Sequence, residues 1–302
     1  MPAFPYIKVK TDSIVDLEKI SDKYALTVEE ILNFHNKHCR VHEPMPEQLP
    51  KIVELKMPSA NSHKSYGISI KYPLRQLQIH YTFEIERSGK GTLQISRGRT
   101  CVNNQEFESQ IEKLAETASE ALFPLQLSLH SNGSVDKILN HNDILTRWKA
   151  EVQPKLYQYY LGDVSEDLIK KIDHSFTKLE SDTSLLMKNA LFQLFFQPVY
   201  QRYNGLSKKQ QFQFYFPSLY RVVDYDADWT LDHEFTQSSK IALRINGTEK
   251  NNLCGMEKNK GTVDLLYKFH RESHDIFSIT GTLSYFENNE EQMIDIQIFE
   301  LK

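Results

Sequence analysis

The chain has 302 residues, 40% hydrophobic and 25% charged, with 17 Phe and 15 Tyr. This is enough apolar mass for one large domain or two unequal ones, and it excludes a disordered chain. A net charge of -4 and a pI near 6.3 give no electrostatic reason to expect a nucleic acid or an anionic membrane surface as partner. No apolar run reaches the roughly 18 residues of a membrane span, so no membrane insertion is expected. The opening MPAFPYIKVKTDS lacks an apolar stretch of secretory-signal length, and the three cysteines, Cys39, Cys101 and Cys254, are odd in number and scattered. A cytoplasmic location is expected, or a periplasmic one if a leader has been removed.

Residues 6–58 carry a compact pattern. YIKVK (Tyr6–Lys10) alternates apolar and polar side chains and predicts a short strand. Asp12 or Ser13 is placed to cap a helix, and Ile14, Leu17, Ile20 and Tyr24 then recur at the steps of one helix face. Thr27 opens a second helix, TVEEILNFHN, with Glu30 at the capping-box spacing. Val28, Ile31, Leu32 and His35 form its inward face. KIVELKMP supplies a last strand ended by Pro58. Strands this far apart bury something only by pairing with each other across the two helices.

With Tyr6-x-Val, Asp12-Ser13-Ile14, YALTVEEILNFHN and QLPKIVELKMP in place, residues 6–58 resemble a LysM module. The resemblance implies a βααβ fold and binding of an N-acetylglucosamine-type glycan such as peptidoglycan. Related folds also dock to proteins in phage-tail-like and contractile injection assemblies. It further implies a groove between the loop after the first strand and the loop before the last, with Thr11, Asp12, Ser13, Phe34, Asn36, Pro46 and Gln48 as its candidate residues. Thr11 stands where the family usually has glycine before the aspartate, and Ala25 where it has glycine after the tyrosine.

HNKHCRVHE crowds metal-ligand types together. Were the second helix to continue, His35, His38, Cys39 and His42 would share one face and could hold zinc. However, the module needs its chain to reverse after Asn36, and Pro44 and Pro46 bound the stretch. A polar loop is therefore expected, and no metal or other cofactor is assigned.

SANSHKS (Ser59–Ser65) reads as a linker. Beyond it, LQIHYTFEIE and TLQISRGRTCV flank RSGKG as a hairpin, and Phe107 to Leu122 has helical periodicity. Two strands around a Ser-Asn-Gly turn follow, then a helix from Asn142 or Asp143, with Pro154 as a break. Glu166 to about Tyr200 reads as a second helical stretch whose end, LLMKNALFQLFFQPVY, is apolar on several faces. The last hundred residues form a meander of strands. The expected fold class is α+β: a βααβ module (1–58), a linker (59–65) and a larger domain (66–302) whose antiparallel sheet, of the kind that forms half-barrels, packs on long helices.

Catalytic patterns do not stand out. HEFTQ at His233 lacks the second histidine of H-E-x-x-H. His270, His274 and Asp275 in FHRESHD read as surface groups at a hairpin end, and Asp226 and Asp228 in YDADW as a capped turn. Tyr157, Tyr159 and Tyr160 divide between core and rim, and Phe192, Phe195 and Phe196 belong to a core. The expected function is a non-catalytic binding or adaptor protein. Its partner is a protein of a cell-envelope, secretion or phage-tail-like assembly, or a GlcNAc-containing glycan. The alternative is a peptidoglycan-directed enzyme targeted by its LysM-like part.

Overall fold

The computed structural model describes residues 6–10, 17–24, 26–38, 54–58, 62–88, 92–103, 105, 109–180, 182–201, 203, 206–232, 240–250, 259–270, 273–287 and 290–301. Two compact units divide the chain. One is Met1–His63 with Ile85–Gln94, and the other is Lys64–Glu84 with Ile95–Lys302.

In the first unit, β1 (Tyr6–Lys10) and β2 (Glu54–Pro58) enclose α1 (Leu17–Tyr24) and α2 (Val28–His38) in the sequence. The strands pair antiparallel from Tyr6 opposite Pro58 to Lys10 opposite Glu54. A two-stranded ribbon is marginal alone; here Leu17, Leu26 and Ile31 on and between the helices are buried and supply its core. The expected capping box forms. The Glu30 N–H donates to Thr27 Oγ1 at 3.1 Å, and the Thr27 N–H donates to the Glu30 carboxylate at 2.8 Å.

The second unit takes most of β3 (Ser62–Tyr72), which starts inside the stretch read as linker, and of β4 (Leu77–Ser88) and β5 (Thr92–Val102), whose ends within Ile85–Gln94 belong to the first unit. Next come α3 (Gln110–Glu120), β6 (Leu125–Leu129), β7 (Val135–Ile138), α4 (His141–Arg147), α5 (Gln153–Tyr159), α6 (Asp163–Lys178) and α7 (Ala190–Phe195). The chain ends with β8 (Ser207–Phe216), β9 (Arg221–Asp232), β10 (Lys240–Glu249), β11 (Thr262–His270), β12 (Ile276–Glu287) and β13 (Glu290–Glu300). One sheet of 11 strands results, ordered β7-β6-β5-β4-β3-β13-β12-β11-β10-β9-β8. It is two meanders fused where β13 pairs antiparallel with β3, Ile296 opposite Ile70 and Ile298 opposite Ile68. Its inward face follows from alternation: Phe212, Phe214 and Phe216 on β8, Tyr225, Ala227 and Trp229 on β9, and Val263, Leu265, Tyr267 and Phe269 on β11 are all buried.

A flat sheet of this size would hold its edges about 48 Å apart, at roughly 4.8 Å per strand. The 3-10 turn Thr183–Lys188 is about 12 Å long, yet it lies against both edge strands, β7 and β8. The sheet therefore curls until one short turn bridges its edges. The segment after that turn fills the inside. On α7, Leu191, Phe192 and Leu194 are buried. Phe195 meets Tyr66 of β3 and Phe83 of β4 edge-on, each at 5.2 Å between ring centres. Tyr267 of β11 donates its hydroxyl to the Leu194 carbonyl at 2.9 Å. The Gln193 side chain donates to the Tyr215 carbonyl and accepts from the Tyr215 N–H, so it acts as a partner for edge strand β8. Past α7, the Tyr200 N–H donates to Asn132 in the β6–β7 turn, and its hydroxyl donates to the His274 carbonyl in the β11–β12 turn. That first turn is the expected Ser-Asn-Gly, with Gly133 at φ +93°; a Cβ there would come within 2.5 Å of the Tyr200 ring.

The expected α+β body with a half-barrel sheet packed on long helices is corrected. The large unit is dominated by its single 11-stranded sheet, and its longest described helix, α6, has 16 residues. The helical block is short pieces because the chain restarts repeatedly. Asp182 caps the 3-10 turn by accepting from the Ser184 N–H, and Asn189 caps α7 by accepting from the Leu191 N–H. Upstream, the π-helical turn Trp148–Val152 and Pro154 separate α4 from α5. A second correction concerns Asp226 and Asp228: they lie in β9, not in a turn, between inward Tyr225, Ala227 and Trp229.

Truncating the inserted segment tests its importance. Phe192 is 3% exposed, so Phe192→Ala should cost about 3–5 kcal/mol in urea unfolding. Gln193→Leu leaves the Tyr215 N–H and carbonyl unpaired and should cost about 1–3 kcal/mol. The buried phenols make a separate prediction. Burial pushes Tyr225 and Tyr267 far above the usual tyrosine range, and Tyr203 up to about 12. Unfolding frees them to ionise, so this stability is complete below about pH 10 and is lost as pH rises above it. An alkaline unfolding limb should begin there, and Tyr267→Phe should shift it upward in pH.

Candidate functional site

Of the residues expected to line the module's groove, Phe34 and Asn36 stand on α2, Phe34 half-buried and Asn36 exposed. Thr11, Asp12, Ser13, Pro46 and Gln48 lie outside the described residues. Helix α2 runs to His38, two residues beyond the expected turn at Asn36, so His35 and His38 are both helical. His35 is 3% exposed and sits one turn after fully buried Ile31, which makes it part of the core face. Cys39 and His42 fall outside the described residues, and among those described no three His, Cys, Asp or Glu are placed to hold a metal. Among the described side chains, the exposed positions of α1 and α2 are polar and mostly charged: Glu18, Lys19, Asp22, Lys23, Glu29, Glu30, Asn33 and Asn36.

The large unit gathers charged side chains at one end of its sheet. Lys240 on β10 stands directly opposite His270 on β11, and its ammonium donates to His270 Nδ1 at 3.2 Å. His270 Nε2 bonds to the Glu300 carboxylate of β13. Glu300 also pairs with Lys64 of β3 at 3.2 Å, and Lys64 lies 3.5 Å from the Asp275 carboxylate in the β11–β12 turn. The Lys240 ammonium rests over the Phe277 ring, 4.6 Å from its centre.

These partners set the imidazole's hydrogen-bond roles. Nδ1 faces an ammonium donor and accepts, while Nε2 faces a carboxylate and donates. With both nitrogens engaged and two ammoniums balanced by two carboxylates, the chain of contacts ties β3, β10, β11 and β13 together. It acts as a clamp. The sequence shows His270, His274 and Asp275 as neighbours, yet only strand pairing brings Lys64, Lys240 and Glu300 to them. His274 contributes through its backbone, which turns at φ +57° and donates to the His270 carbonyl at 2.9 Å.

No family model matches the chain, and no curated protein matches it. Among solved structures it is similar to lipovitellin, with a TM-score of 0.40 and 9% sequence identity. The match covers 79% of this chain and 24% of the lipovitellin chain. Among the described residues no helix is long and apolar enough to cross a membrane.

The clamp is checked by removing its shared acceptor. Glu300→Ala deprives both His270 and Lys64 of a partner and should cost about 1–3 kcal/mol in denaturant unfolding. Glu300→Gln, which keeps the shape and an acceptor, should cost less.

Proposed function

We propose that the chain is a non-catalytic binding or adaptor protein in which residues 6–58 are the recognition module and the large sheet unit is its carrier. The observation that supports this is the pairing of β1 with β2 across two intervening helices, which closes a strand-helix-helix-strand unit in the order that a LysM-like module requires. The partner we favour is a protein within a larger cell-envelope or phage-tail-like assembly. The outward positions of α1 and α2 support that choice, because Glu18, Asp22, Glu29 and Glu30 interspersed with Lys19 and Lys23 offer a polar, charged face suited to a protein surface. A GlcNAc-containing glycan is the second reading, favoured by the likeness of Tyr24 to Asn36 to the family's second helix.

One experiment separates them. Purified full-length protein should not be retained on insoluble peptidoglycan or chitin, while affinity purification from its native host should recover a protein partner that is lost when residues 1–61 are deleted. Retention on either polymer that depends on residues 1–61 would replace the protein partner with the glycan. A partner recovered equally by the deleted chain would remove the module from the recognition role.

A further inference from the structure

Helices α3 and α5 of the large unit frame a cleft of about 280 Å³ lined by Gln110, Thr117, Lys155, Leu156, Tyr159 and Tyr160. Its α5 wall follows directly on an irregularity. In the π-helical turn Trp148–Val152, the Gln153 N–H reaches back five residues to the Trp148 carbonyl, and Pro154 follows at once. Trp148 anchors the turn, fully buried and donating Nε1–H to Asp173 at 2.7 Å. From that anchor α5 sends Leu156 inward while Lys155 and Tyr159 face out beside α3. Of the lining, Tyr159 is 76% exposed, and Ile111, Leu161 and Val164, close in sequence to the lining, are 58%, 84% and 72% exposed. Apolar side chains cost nothing on a surface one at a time, but a cluster around a concavity marks a binding site.

The lining chemistry narrows the occupant. Leu156 and two tyrosine rings offer flat apolar walls. Among the described residues, Lys155 is the one charged side chain in the lining, and no carboxylate lines the cleft. The Thr117 hydroxyl gives its hydrogen to the Lys113 carbonyl at 2.9 Å, so it faces a ligand as an acceptor. An occupant that uses both groups supplies a hydrogen-bond donor as well as a negative charge, which an unsubstituted aromatic acid does not do. The volume is near the lower limit of about 300 Å³ for small-molecule sites, so it suits one ring rather than a chain of them.

We propose that this cleft binds a single sugar-acid unit, its ring against Tyr159 and Tyr160, its carboxylate at Lys155 and its hydroxyls at Gln110 and Thr117. The site belongs to the large unit and does not rest on the role assigned to the N-terminal module.

The test titrates the full chain with glucuronic acid, N-acetylmuramic acid, N-acetylglucosamine and benzoate, read by saturation-transfer NMR and calorimetry. At least one of the two sugar acids should bind saturably, with neutral N-acetylglucosamine and benzoate each weaker by about tenfold or more, the loss of one charge-assisted or several neutral hydrogen bonds. Lys155→Met should weaken sugar-acid binding about tenfold and remove its salt dependence, and Tyr159→Ala should abolish it. Both positions are exposed, so the variants should unfold at the wild-type temperature. Failure of both sugar acids to saturate, binding unchanged in the two variants, or benzoate binding as tightly as the sugar acids would each overturn the proposal.

Discussion

The large unit depends on the insertion of Ala190–Tyr200 into a curled sheet. A sheet built of two meanders has a natural line of weakness where they join, here β13 against β3. Phe195 packs against Tyr66 of β3 and Phe83 of β4, while the same short helix reaches β11 through Tyr267 and edge strand β8 through Gln193. One segment is thus shared by both meanders. Its burial supplies the core that a single curled layer lacks, and its polar atoms satisfy groups that the curl leaves without a neighbour. The edge is treated the same way: a glutamine amide stands in for the missing strand at Tyr215, which removes one of the donor–acceptor pairs by which an open edge recruits other chains.

Much of this was legible where a local rule dominates. Alternation placed the C-terminal strands, the Gly-containing turn placed the hairpin of β4 and β5, and the all-round apolarity of ALFQLFF placed Phe192 and Phe196 in the core. The Thr27–Glu30 capping box is local and was readable as such. Failures occurred where tertiary structure decides. The start of β3 reads as linker because SHKSYGISIKY opens with small polar residues, although Tyr66, Ile68 and Ile70 alternate once β13 is beside it. The stretch from Glu166 to Tyr200 has helical composition throughout, but Asp182 and Asn189 each start a new turn, and composition alone does not reveal a cap that interrupts a favourable run. Asp226 and Asp228 looked like turn residues because outward carboxylates on a strand share their spacing.

The candidate sites divide along the same line. The expected groove of residues 6–58 rests on a family resemblance alone, whereas α2 carries His35 into the core, where it packs as an ordinary buried histidine. The clamp of Lys240, His270, Glu300, Lys64 and Asp275 could not be argued from sequence, since its members come from four strands and a turn. The cleft between α3 and α5 follows a π-helical turn, a feature without a sequence signature. The sequence divides Tyr157, Tyr159 and Tyr160 between core and rim, whereas Tyr157 and Tyr159 are exposed and Tyr160 is half-buried.

The central claim is that the inserted segment makes the two meanders one cooperative structure. Native-state hydrogen exchange under mild denaturant measures this directly. Amides of β3 and of β10–β12 should exchange with the same free energy of opening, equal to that of global unfolding. Exchange of β3–β7 at a distinctly lower free energy than β9–β13 would show two independently opening halves and contradict the account.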